Sequence, residues 1–581
     1  MNIPFQRYWN LLAQYIKPQK GRFAWLTLLL LTSIGLQVVN PQIMRFFIDA
    51  TQTSQDFQVL VLAALAFIGI ALIQQLVGVS ATYVGENVAW VATNELRADL
   101  ARHCLNLDMS YHNDISPGEL IERIDGDVTE LSNFFSQFVI RVLGNILLMI
   151  GILIALFLED WRIGVFFLFF ASVTLIALNQ VRSIAIPFQK KMREATADLS
   201  GFLEERLAGT EDIRSSGAVE YVLLGIYKLS YRILGIWYSV QRRFVVIRIT
   251  AGFFQTVGVA IALYAGYSLF YSGVLTVGDV YLVVYYITLL RRPIQELTRQ
   301  VENLQNIGAA TERLSELLAI DSKIKDGPGE KIPTGALSLT FENVSFAYKE
   351  DEPVLSEINF QIRPGAVLGL LGRTGSGKTT LARLVFRLYD PTAGGISLGG
   401  VHLKLPYLKD VRERIALVTQ DVQLFQASVR DNLTFFTRNI PDERILDVIE
   451  ELGLWKWYQA LSHGLDTRLQ SGGRSLSAGE AQLLAFTRIF LRDPGLIILD
   501  EASSRLDPAT EQLIERALDR LLQNRTAIII AHRLGTIRRT DEVMILEKGC
   551  IIEYGKRTHL AADPSSRFYH LLQTGLEEVL A

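Results

Sequence analysis

The sequence predicts two domains of different fold class, an all-α polytopic membrane domain followed by a soluble α/β domain. Three observations lead to this prediction. The chain has 581 residues, more than a single hydrophobic core usually organises. Hydrophobic residues make up 50% of it although 20% are charged, which indicates an apolar region joined to an ordinary soluble one. The long apolar segments end before Ile320, and a glycine-rich loop between an apolar run and an amphipathic helix lies beyond it.

Six segments are apolar and long enough to cross a membrane, because a helix needs about 20 residues to span the ~30 Å hydrocarbon layer. They run about 23–48, 57–83, 134–158, 163–186, 244–270 and 277–300. The links after the second and fourth spans are long, polar and rich in Arg and Lys. By the positive-inside rule these links and both termini are cytoplasmic. We therefore expect a multi-pass protein of the plasma or inner membrane, with residues 1–320 as a transmembrane domain whose helices have long cytoplasmic extensions.

A second domain begins after a short linker. The stretch DSKIKDGPGEKIPTGA, which follows Ile320, is rich in charge, Gly and Pro and breaks the helical pattern. It predicts a linker over 321–334 and a cytoplasmic domain over 335–575. In that domain LSLTFENVSFAY and EINFQIRPG are typical of strands, and VLGLLGRTGSGKTTLARLVFRLY is an apolar run, a glycine loop and an amphipathic helix.

The glycine loop matches the pattern G-x-x-x-x-G-K-[ST], which cradles phosphates. Its glycines let consecutive backbone N–H groups turn inward around a phosphate at the positive end of the following helix. Lys378 supplies a mobile positive charge, and the Thr379 hydroxyl reaches Mg²⁺. The predicted ATP-binding residues are Gly372, Arg373, Thr374, Gly375, Ser376, Gly377, Lys378, Thr379 and Thr380. The alternative is a glycine turn that only joins a strand to a helix.

A second motif, LIILDEAS from Leu496 to Ser503, indicates that the bound nucleotide is hydrolysed. Four apolar residues predict a buried strand, and Asp500 at its end can hold Mg²⁺ directly or through water. Glu501 is then placed to orient or deprotonate the attacking water. The alternative is an acid that caps a helix at a strand-to-helix turn. With ATP and Mg²⁺ as cofactors, the two motifs predict an ATPase.

Further segments add a family resemblance. RSLSAGEAQLLAFTRIFLRDP lies between the two motifs, and SSRLDP and TAIIIAHRL follow them. With the six spans, this arrangement resembles an ATP-binding cassette (ABC) exporter of the half-transporter type over essentially the whole chain, and SYHNDISPGELIERIDGDV resembles its first cytoplasmic coupling helix. The resemblance implies an α/β P-loop NTPase domain of ABC type and ATP-driven export of an unidentified substrate by alternating access. The alternative is an ATP-gated channel or a regulatory membrane protein on the same scaffold.

The resemblance also implies roles for four residues outside the two motifs. Tyr348 would stack on adenine, Gln420 would contact the γ-phosphate, the metal and the attacking water, and His532 would contact the γ-phosphate. Asp507 would carry communication between two nucleotide-binding domains. Tyr348, Gln420 and His532 also have plainer interpretations, as a half-buried strand aromatic, a surface amide and a hydrogen-bonded histidine at a strand end.

The signature of this family, LSGGQ, is altered here. Its positions are occupied by Leu476, Ser477, Ala478, Gly479 and Glu480. In the family this signature closes over ATP held by the partner subunit, so Ala478 adds a Cβ where close approach favours glycine, and Glu480 adds a negative charge near a triphosphate. Because the chain's own catalytic residues are intact, we expect a heterodimer with a second ABC half-transporter and two unequal ATP sites. The alternative is a homodimer that tolerates the variant signature.

The sequence leaves the transported substrate open. Tyr285, Arg291 and Arg292 in the last span are candidate substrate contacts. The two arginines either snorkel to the inner membrane interface or face a cavity and favour an anionic substrate. Small molecules, lipids and peptides are all candidate substrates, and membrane lipids are expected neighbours. The net charge of −3 argues against a nucleic-acid partner.

Overall fold

The computed structural model describes residues 13–53, 57–183, 186–349, 352–419, 422–437, 439–470, 476–500, 508–531 and 534–574. The chain divides into two compact units. The first contains Met1–Leu105 and Pro117–Ile320, and the second contains Asn106–Ser116 and Asp321–Ala581. A short segment of the N-terminal half therefore belongs to the C-terminal unit.

Long helices make up the N-terminal half. They are α1 (Lys20–Thr53), α2 (Phe57–Asn106), α3 (Met109–Asp114), α4 (Pro117–Ile121), α5 (Val128–Gln137), α6 (Gly144–Glu159), α7 (Trp161–Ser183), α8 (Ile186–Ala208), α9 (Thr210–Ser215), α10 (Val219–Tyr271) and α11 (Val277–Leu318). Two π-helical turns, Glu122–Asp127 and Phe138–Leu143, precede α5 and α6. Because α10 has 53 residues and a helix rises about 1.5 Å per residue, α10 extends far beyond a ~30 Å hydrocarbon layer.

Five stretches of helix are long and apolar enough to cross a membrane. They are Ala13–Gln52, Phe57–Asn106, Arg141–Glu159, Trp161–Leu178 and Val219–Tyr271. These stretches contain or overlap the first five predicted spans. Within the described residues α11 does not meet the same requirement, because Asp279, Arg291 and Arg292 interrupt its apolar part. The sixth span therefore stays a prediction, although its residues do form a continuous helix.

The ends of α1, α6 and α11 beside the short links are tied together by charged groups. Arg45 on α1 contacts Glu159 at 2.8 Å and Asp279 at 2.5 Å, and both carboxylates are largely buried. One turn further along α1, Asp49 accepts a hydrogen bond from the N–H of Gly278 at 2.9 Å. Ion pairs that are partly removed from solvent are screened less by salt than surface pairs. These contacts therefore hold three helices together at one end of the unit.

The C-terminal unit is built on two sheets. Its strands are β1 (Leu339–Ala347), β2 (Pro353–Ile362), β3 (Val367–Leu371), β4 (Ala393–Leu398), β5 (Val401–His402), β6 (Ile415–Val418), β7 (Leu496–Asp500), β8 (Thr526–Ile530), β9 (Glu542–Glu547) and β10 (Cys550–Lys556). Its helices after α3 are α12 (Lys378–Val385), α13 (Leu408–Arg414), α14 (Val429–Thr434), α15 (Asp442–Glu451), α16 (Trp455–Gln459), α17 (Ala478–Arg492), α18 (Pro508–Leu522), α19 (Leu534–Ile537), α20 (Arg557–Ala562) and α21 (Arg567–Thr574). The smaller sheet is antiparallel with the order β2-β1-β4-β5. The larger has the order β10-β9-β3-β8-β7-β6 and is parallel from β9 to β6.

The larger sheet is buried on both faces. Along β3, Leu368 and Leu370 belong to one hydrophobic core, whereas Val367 and Leu371 belong to another. Alternate side chains of a strand point to opposite faces, so a strand that is covered on both sides consists of consecutive apolar residues. This is why the segment VLGLL predicts a central strand. The glycine loop follows the carboxyl end of β3.

Candidate nucleotide site

The glycine loop joins β3 to α12, and its backbone requires glycine. Gly372, Gly375 and Gly377 have φ angles of 153°, 80° and 104°, in the region that L side chains rarely adopt. A Cβ on Gly372 would lie 2.3 Å from the carbonyl oxygen of Leu546. Gly377 is the N-cap of α12 and offers no side chain to the first N–H groups of that helix. Those N–H groups are therefore donors for an anion.

Lys378 and Ser376 give this loop the chemistry of a phosphate site. Lys378 is buried, and its ammonium donates to the carbonyl oxygens of Gly372 and Arg373, the second at 3.0 Å. The Ser376 hydroxyl is buried and has no hydrogen-bond partner among the described residues. A buried hydroxyl without a partner needs an acceptor, and a phosphate oxygen supplies one. The loop therefore fits the phosphates of ATP.

Asp500 ends β7 at the same edge of the sheet. β7 pairs in parallel with β8, and β8 pairs in parallel with β3, so the carboxyl end of β7 lies two strands from the glycine loop. Asp500 is half-buried, and Thr379 is exposed in the first turn of α12. A carboxylate and a hydroxyl are the oxygen ligands that Mg²⁺ uses beside nucleotide phosphates. The two residues therefore fit a magnesium ion shared with ATP.

Tyr348 lies beside α12 with part of its ring accessible. Its hydroxyl is 3.1 Å from Oγ1 of Thr380, and Arg383 donates a hydrogen bond to it at 3.2 Å. Its ring packs edge-on against Phe346 and Tyr389, with centroids 4.9 and 5.2 Å away. Tyr348 remains 40% exposed, which leaves room for a base to stack on its ring.

Tyr389 connects Tyr348 to helix α3, in the segment that resembles a coupling helix. Asn113 on α3 donates a hydrogen bond to the Tyr389 hydroxyl at 2.7 Å. Burial, followed by the neighbouring Tyr348, raises the pKa of Tyr389, so its hydroxyl stays protonated. Met109 on the same helix packs against one of the two cores of the large sheet. These contacts anchor Asn106–Ser116 within the C-terminal unit.

Helix α17 begins at the altered signature, where Ser477 and Glu480 form a capping box. The Ser477 hydroxyl accepts from the N–H of Glu480 at 3.3 Å. One carboxylate oxygen of Glu480 accepts from the N–H of Ser477 at 2.8 Å and from its hydroxyl at 2.9 Å. The N-terminus of α17 thus has a carboxylate bound to it by the chain's own fold.

Comparison with known proteins decides the family. The family described as the ABC transporter transmembrane region matches residues 23–294, and the family described as ABC transporter matches residues 355–504. The chain belongs to the ABC transporters. It is 29% identical to the ATP-dependent lipid A-core flippase of Thiobacillus denitrificans over 97% of both chains. It is also 29% identical to the uncharacterized ABC transporter ATP-binding protein YknV of Bacillus subtilis, over 95% of this chain and 92% of that protein.

A solved structure supports the same fold. The bacterial Atm1-family ABC exporter with ATP bound matches with a TM-score of 0.78 at 22% identity, over 96% of this chain and 98% of that chain. The predicted fold class is confirmed, a helical transmembrane domain followed by an ABC-type α/β nucleotide-binding domain. The prediction of an exporter-type half-transporter is confirmed too, as is that of an ATPase coupled to transmembrane transport.

Some predicted residues of this ABC transporter lie outside the described part of the chain. They are Gln420, Glu501, Asp507 and His532. Three of them follow a described strand in the sequence. Gln420 comes after β6, which ends at Val418, Glu501 after β7, which ends at Asp500, and His532 after β8, which ends at Ile530. These strand ends belong to the edge of the sheet that carries the glycine loop. The roles of the four residues stay predictions.

The transmembrane domain of this ABC transporter contains a polar cavity of about 580 Å³, here called the polar cavity. Residues of α1, α2, α6, the π turn before α6 and α11 line it. Its polar lining consists mainly of four amides and four charged groups, namely Gln37, Gln74, Gln75, Asn145, Glu86, Arg141, Arg292 and Glu296. No local motif connects Glu86, Arg141 and Glu296 with a site, because they come from three separate segments.

The three predicted substrate residues lie in different surroundings. Arg292 lines the polar cavity, whereas Arg291 lines a separate cavity of about 30 Å³ beside Phe170 and other apolar groups. Adjacent residues on a helix point about 100° apart, so the two arginines face different sides of α11. Tyr285 is among the lining residues of neither cavity. Arg291 and Arg292 therefore cannot be treated as one anion-binding pair.

Proposed function

We propose that the chain is one half of a dimeric, Mg²⁺-dependent exporter of the plasma or inner membrane, with its nucleotide-binding domain in the cytoplasm. The observation that carries the proposal is the glycine loop, where buried Lys378 and Ser376 lie beside the uncapped N-terminus of α12. The same chain supplies long apolar helices and a polar cavity. ATP shifts the dimer toward a closed arrangement because it binds that arrangement more tightly, and hydrolysis resets the cycle.

The residues of the nucleotide site have separate roles. Lys378 and the loop N–H groups bind the β- and γ-phosphates, and Tyr348 stacks on the base. Thr379 and Asp500, with Gln420, would hold Mg²⁺, which neutralises charge on the phosphates. Glu501 orients or deprotonates the attacking water, and His532 contacts the γ-phosphate. Among the described residues, Lys378 and Thr379 lie on α12, Asp500 ends β7 at the carboxyl edge of the parallel strands, and Tyr348 lies beside α12.

Reconstitution into vesicles tests this proposal. The purified complex should hydrolyse Mg-ATP and accumulate at least one probe from a panel of zwitterionic, anionic and cationic amphiphiles against its gradient. Glu501→Gln should stop both activities, because the group that activates water is lost while nucleotide binding is kept. Downhill flux of the probe that persists in Glu501→Gln would indicate an ATP-gated channel and contradict the pump.

We further propose that the partner is a different half-transporter. The capping box of α17 supports this, because Glu480 holds the Ser477 hydroxyl that would reach a phosphate of the partner's ATP. A second anion at the same helix N-terminus is repelled by the carboxylate already there. The competent site would then combine this chain's Lys378, Asp500 and Glu501 with an unaltered signature from the partner.

Purification from the native membrane tests the heterodimer. A second half-transporter should co-purify with the tagged chain in equal amount. The two subunits together should hydrolyse ATP faster than this chain alone. Full transport-coupled ATPase activity of this chain without another subunit would overturn the proposal and favour a homodimer.

A further inference from the structure

The polar cavity gathers charges of both signs that do not neutralise one another. Glu86 comes from α2, Arg141 from the π turn before α6, and Arg292 and Glu296 from α11. Among the described residues, none of these four side chains forms an ion pair or a side-chain hydrogen bond. One carboxylate oxygen of Glu296 is buried and has no hydrogen-bond partner in the described part of the chain. Ionisable groups among membrane-spanning helices are costly unless they are paired or serve a ligand.

Arg292 and Glu296, both among the described residues, lie within reach of each other on α11 but do not form an ion pair. They are four residues apart on α11, a spacing at which opposite charges can meet on one helix face. The buried oxygen of Glu296 nevertheless lacks a partner, and Arg292 is exposed to the cavity. The two groups therefore present a cationic and an anionic contact side by side.

The charges define a class of ligand. Two arginines and two glutamates sum to zero, so a purely anionic ligand would meet two carboxylates and a purely cationic one would meet two guanidinium groups. A group that carries both signs satisfies both pairs. The four amides add donors and acceptors without charge, and Leu30, Ile34 and Leu148 offer apolar surface beside them. A volume of about 580 Å³ is ordinary for a small-ligand site.

We infer that the polar cavity binds a zwitterionic polar group, with Arg141 and Arg292 facing its anionic part and Glu86 and Glu296 facing its cationic part. This assignment rests on the proposed export function and specifies its substrate. It differs from the hypothesis of an anionic substrate, which considered Arg291 and Arg292 without the two acids. The zwitterionic group can belong to an amphiphile or to a free solute.

Probes that share a dodecyl chain and carry head groups of different charge test the assignment. The wild-type complex is reconstituted, and ATP-driven uptake is measured for dodecylphosphocholine, dodecyl phosphate and dodecyltrimethylammonium. Uptake should be most efficient for the zwitterionic probe. Glycerophosphocholine, which has the same head group and no alkyl chain, separates the two sources: its uptake indicates a free solute, and its failure indicates an amphiphile.

Charge-removing variants sharpen the test. Arg292→Gln should shift the preference toward the cationic probe and Glu296→Gln toward the anionic probe, each by about tenfold, because each removes one of the paired contacts. Arg292→Lys should keep the wild-type order. Arg248→Gln, an exposed arginine on α10 outside both cavities, is the matched control and should not change the order.

Two results would overturn the assignment. One is equal uptake of all three charged probes by the wild type, and the other is an unchanged preference in both Arg292→Gln and Glu296→Gln. A shift in preference in Arg291→Gln, with no shift in the other two variants, would give the second of these results and show that Arg291 affects the preference from outside the polar cavity. Absence of ATP-driven uptake of every probe, together with absence of ATP hydrolysis, would count against the proposed export function itself.

Discussion

Two helix N-termini of the nucleotide-binding domain differ in what accepts hydrogen bonds from their first backbone N–H groups. Helix α12 begins at Gly377, which has no side chain, so its first N–H groups are left for a phosphate. Helix α17 begins at Ser477, whose N–H and hydroxyl both donate to the carboxylate of Glu480. One terminus requires an anion from outside, whereas the other carries its own.

The difference shows how stability and function diverge within one fold. A side-chain cap typically stabilises a helix by about 1 kcal/mol, so the capping box of α17 favours folding of the isolated chain. The glycine at the start of α12 forgoes this stabilisation and keeps the terminus accessible. In the proposed ATP site shared by two subunits, the open N-terminus of α12 in one subunit would face the signature helix of the other.

The largest expected effect comes from removing the cation beside the open terminus. Lys378→Ala should lower ATP turnover by about two to three orders of magnitude, because the charge that meets the phosphates is lost from a preorganised site. Steady-state ATP hydrolysis by the reconstituted complex measures it. Lys404→Ala, at an exposed lysine of the same domain, is the control and should keep wild-type turnover. Equal turnover in both variants would contradict the phosphate role of Lys378.

A second change converts the open terminus into a capped one. Gly377→Ser should weaken ATP binding by about tenfold or more, because a side chain is forced into a φ of 104° and its Cβ would lie 2.6 Å from a methyl group of Leu355. Calorimetric titration with Mg-ATP measures the affinity. Gly365→Ser has a positive φ of 80° with open space around it, so it should lower stability without changing ATP affinity. A similar loss of affinity in both would mean that strain alone is responsible.

The third change removes the internal anion from the capped terminus. Glu480→Gln keeps a side chain that can accept from Ser477 and removes the charge, so turnover by the complex should rise by about fivefold, equivalent to about 1 kcal/mol. The rate of ATP hydrolysis at saturating ATP measures it. Glu443→Gln, in the first turn of α15, is the matched loss of a carboxylate at another helix N-terminus and should leave turnover unchanged. An unchanged rate in Glu480→Gln would remove the electrostatic argument for unequal sites.

The smallest expected effect concerns the contact between α3 and the surroundings of Tyr348. Tyr389→Phe removes the hydroxyl that accepts from Asn113 and keeps the ring beside Tyr348, so about 0.7 kcal/mol of hydrogen bonding is lost. We expect uptake per ATP hydrolysed to fall about threefold while the KM for ATP stays near the wild-type value. Asn113→Ala should have the same effect, and the double variant should add nothing further. Additive losses would show that the two residues act separately.

Local patterns were sufficient to predict the open terminus. The glycine loop, Lys378 and Asp500 occur in short motifs whose spacing fixes their chemistry, so their positions at one sheet edge follow from parallel strands. The capping box is equally local, since Ser477 and Glu480 are three residues apart, but its effect on the signature emerged only from the hydrogen bonds. The predicted roles of Gln420, Glu501, Asp507 and His532 remain predictions.

Contacts between distant segments could not be predicted in this way. Asn113 and Tyr389 are 276 positions apart, and nothing in either local sequence indicates that they meet. The polar cavity likewise collects its four charges from three segments, so its balance of signs is a property of helix packing. Arg291 and Arg292 are adjacent in the sequence but line different cavities, because adjacent residues on a helix point about 100° apart.

The contacts around Arg45 constrain how the polar cavity can open. Arg45 connects α1 to both α6 and α11 beside the short links, so these three walls of the cavity are joined to one another at that end. Helix α2, which also lines the cavity, contacts α1 through Arg22 and Asn87 and α11 through His103 and the carbonyl oxygen of Leu317. A molecule that enters or leaves the cavity between these helices therefore has to pass between segments that are held together at several points.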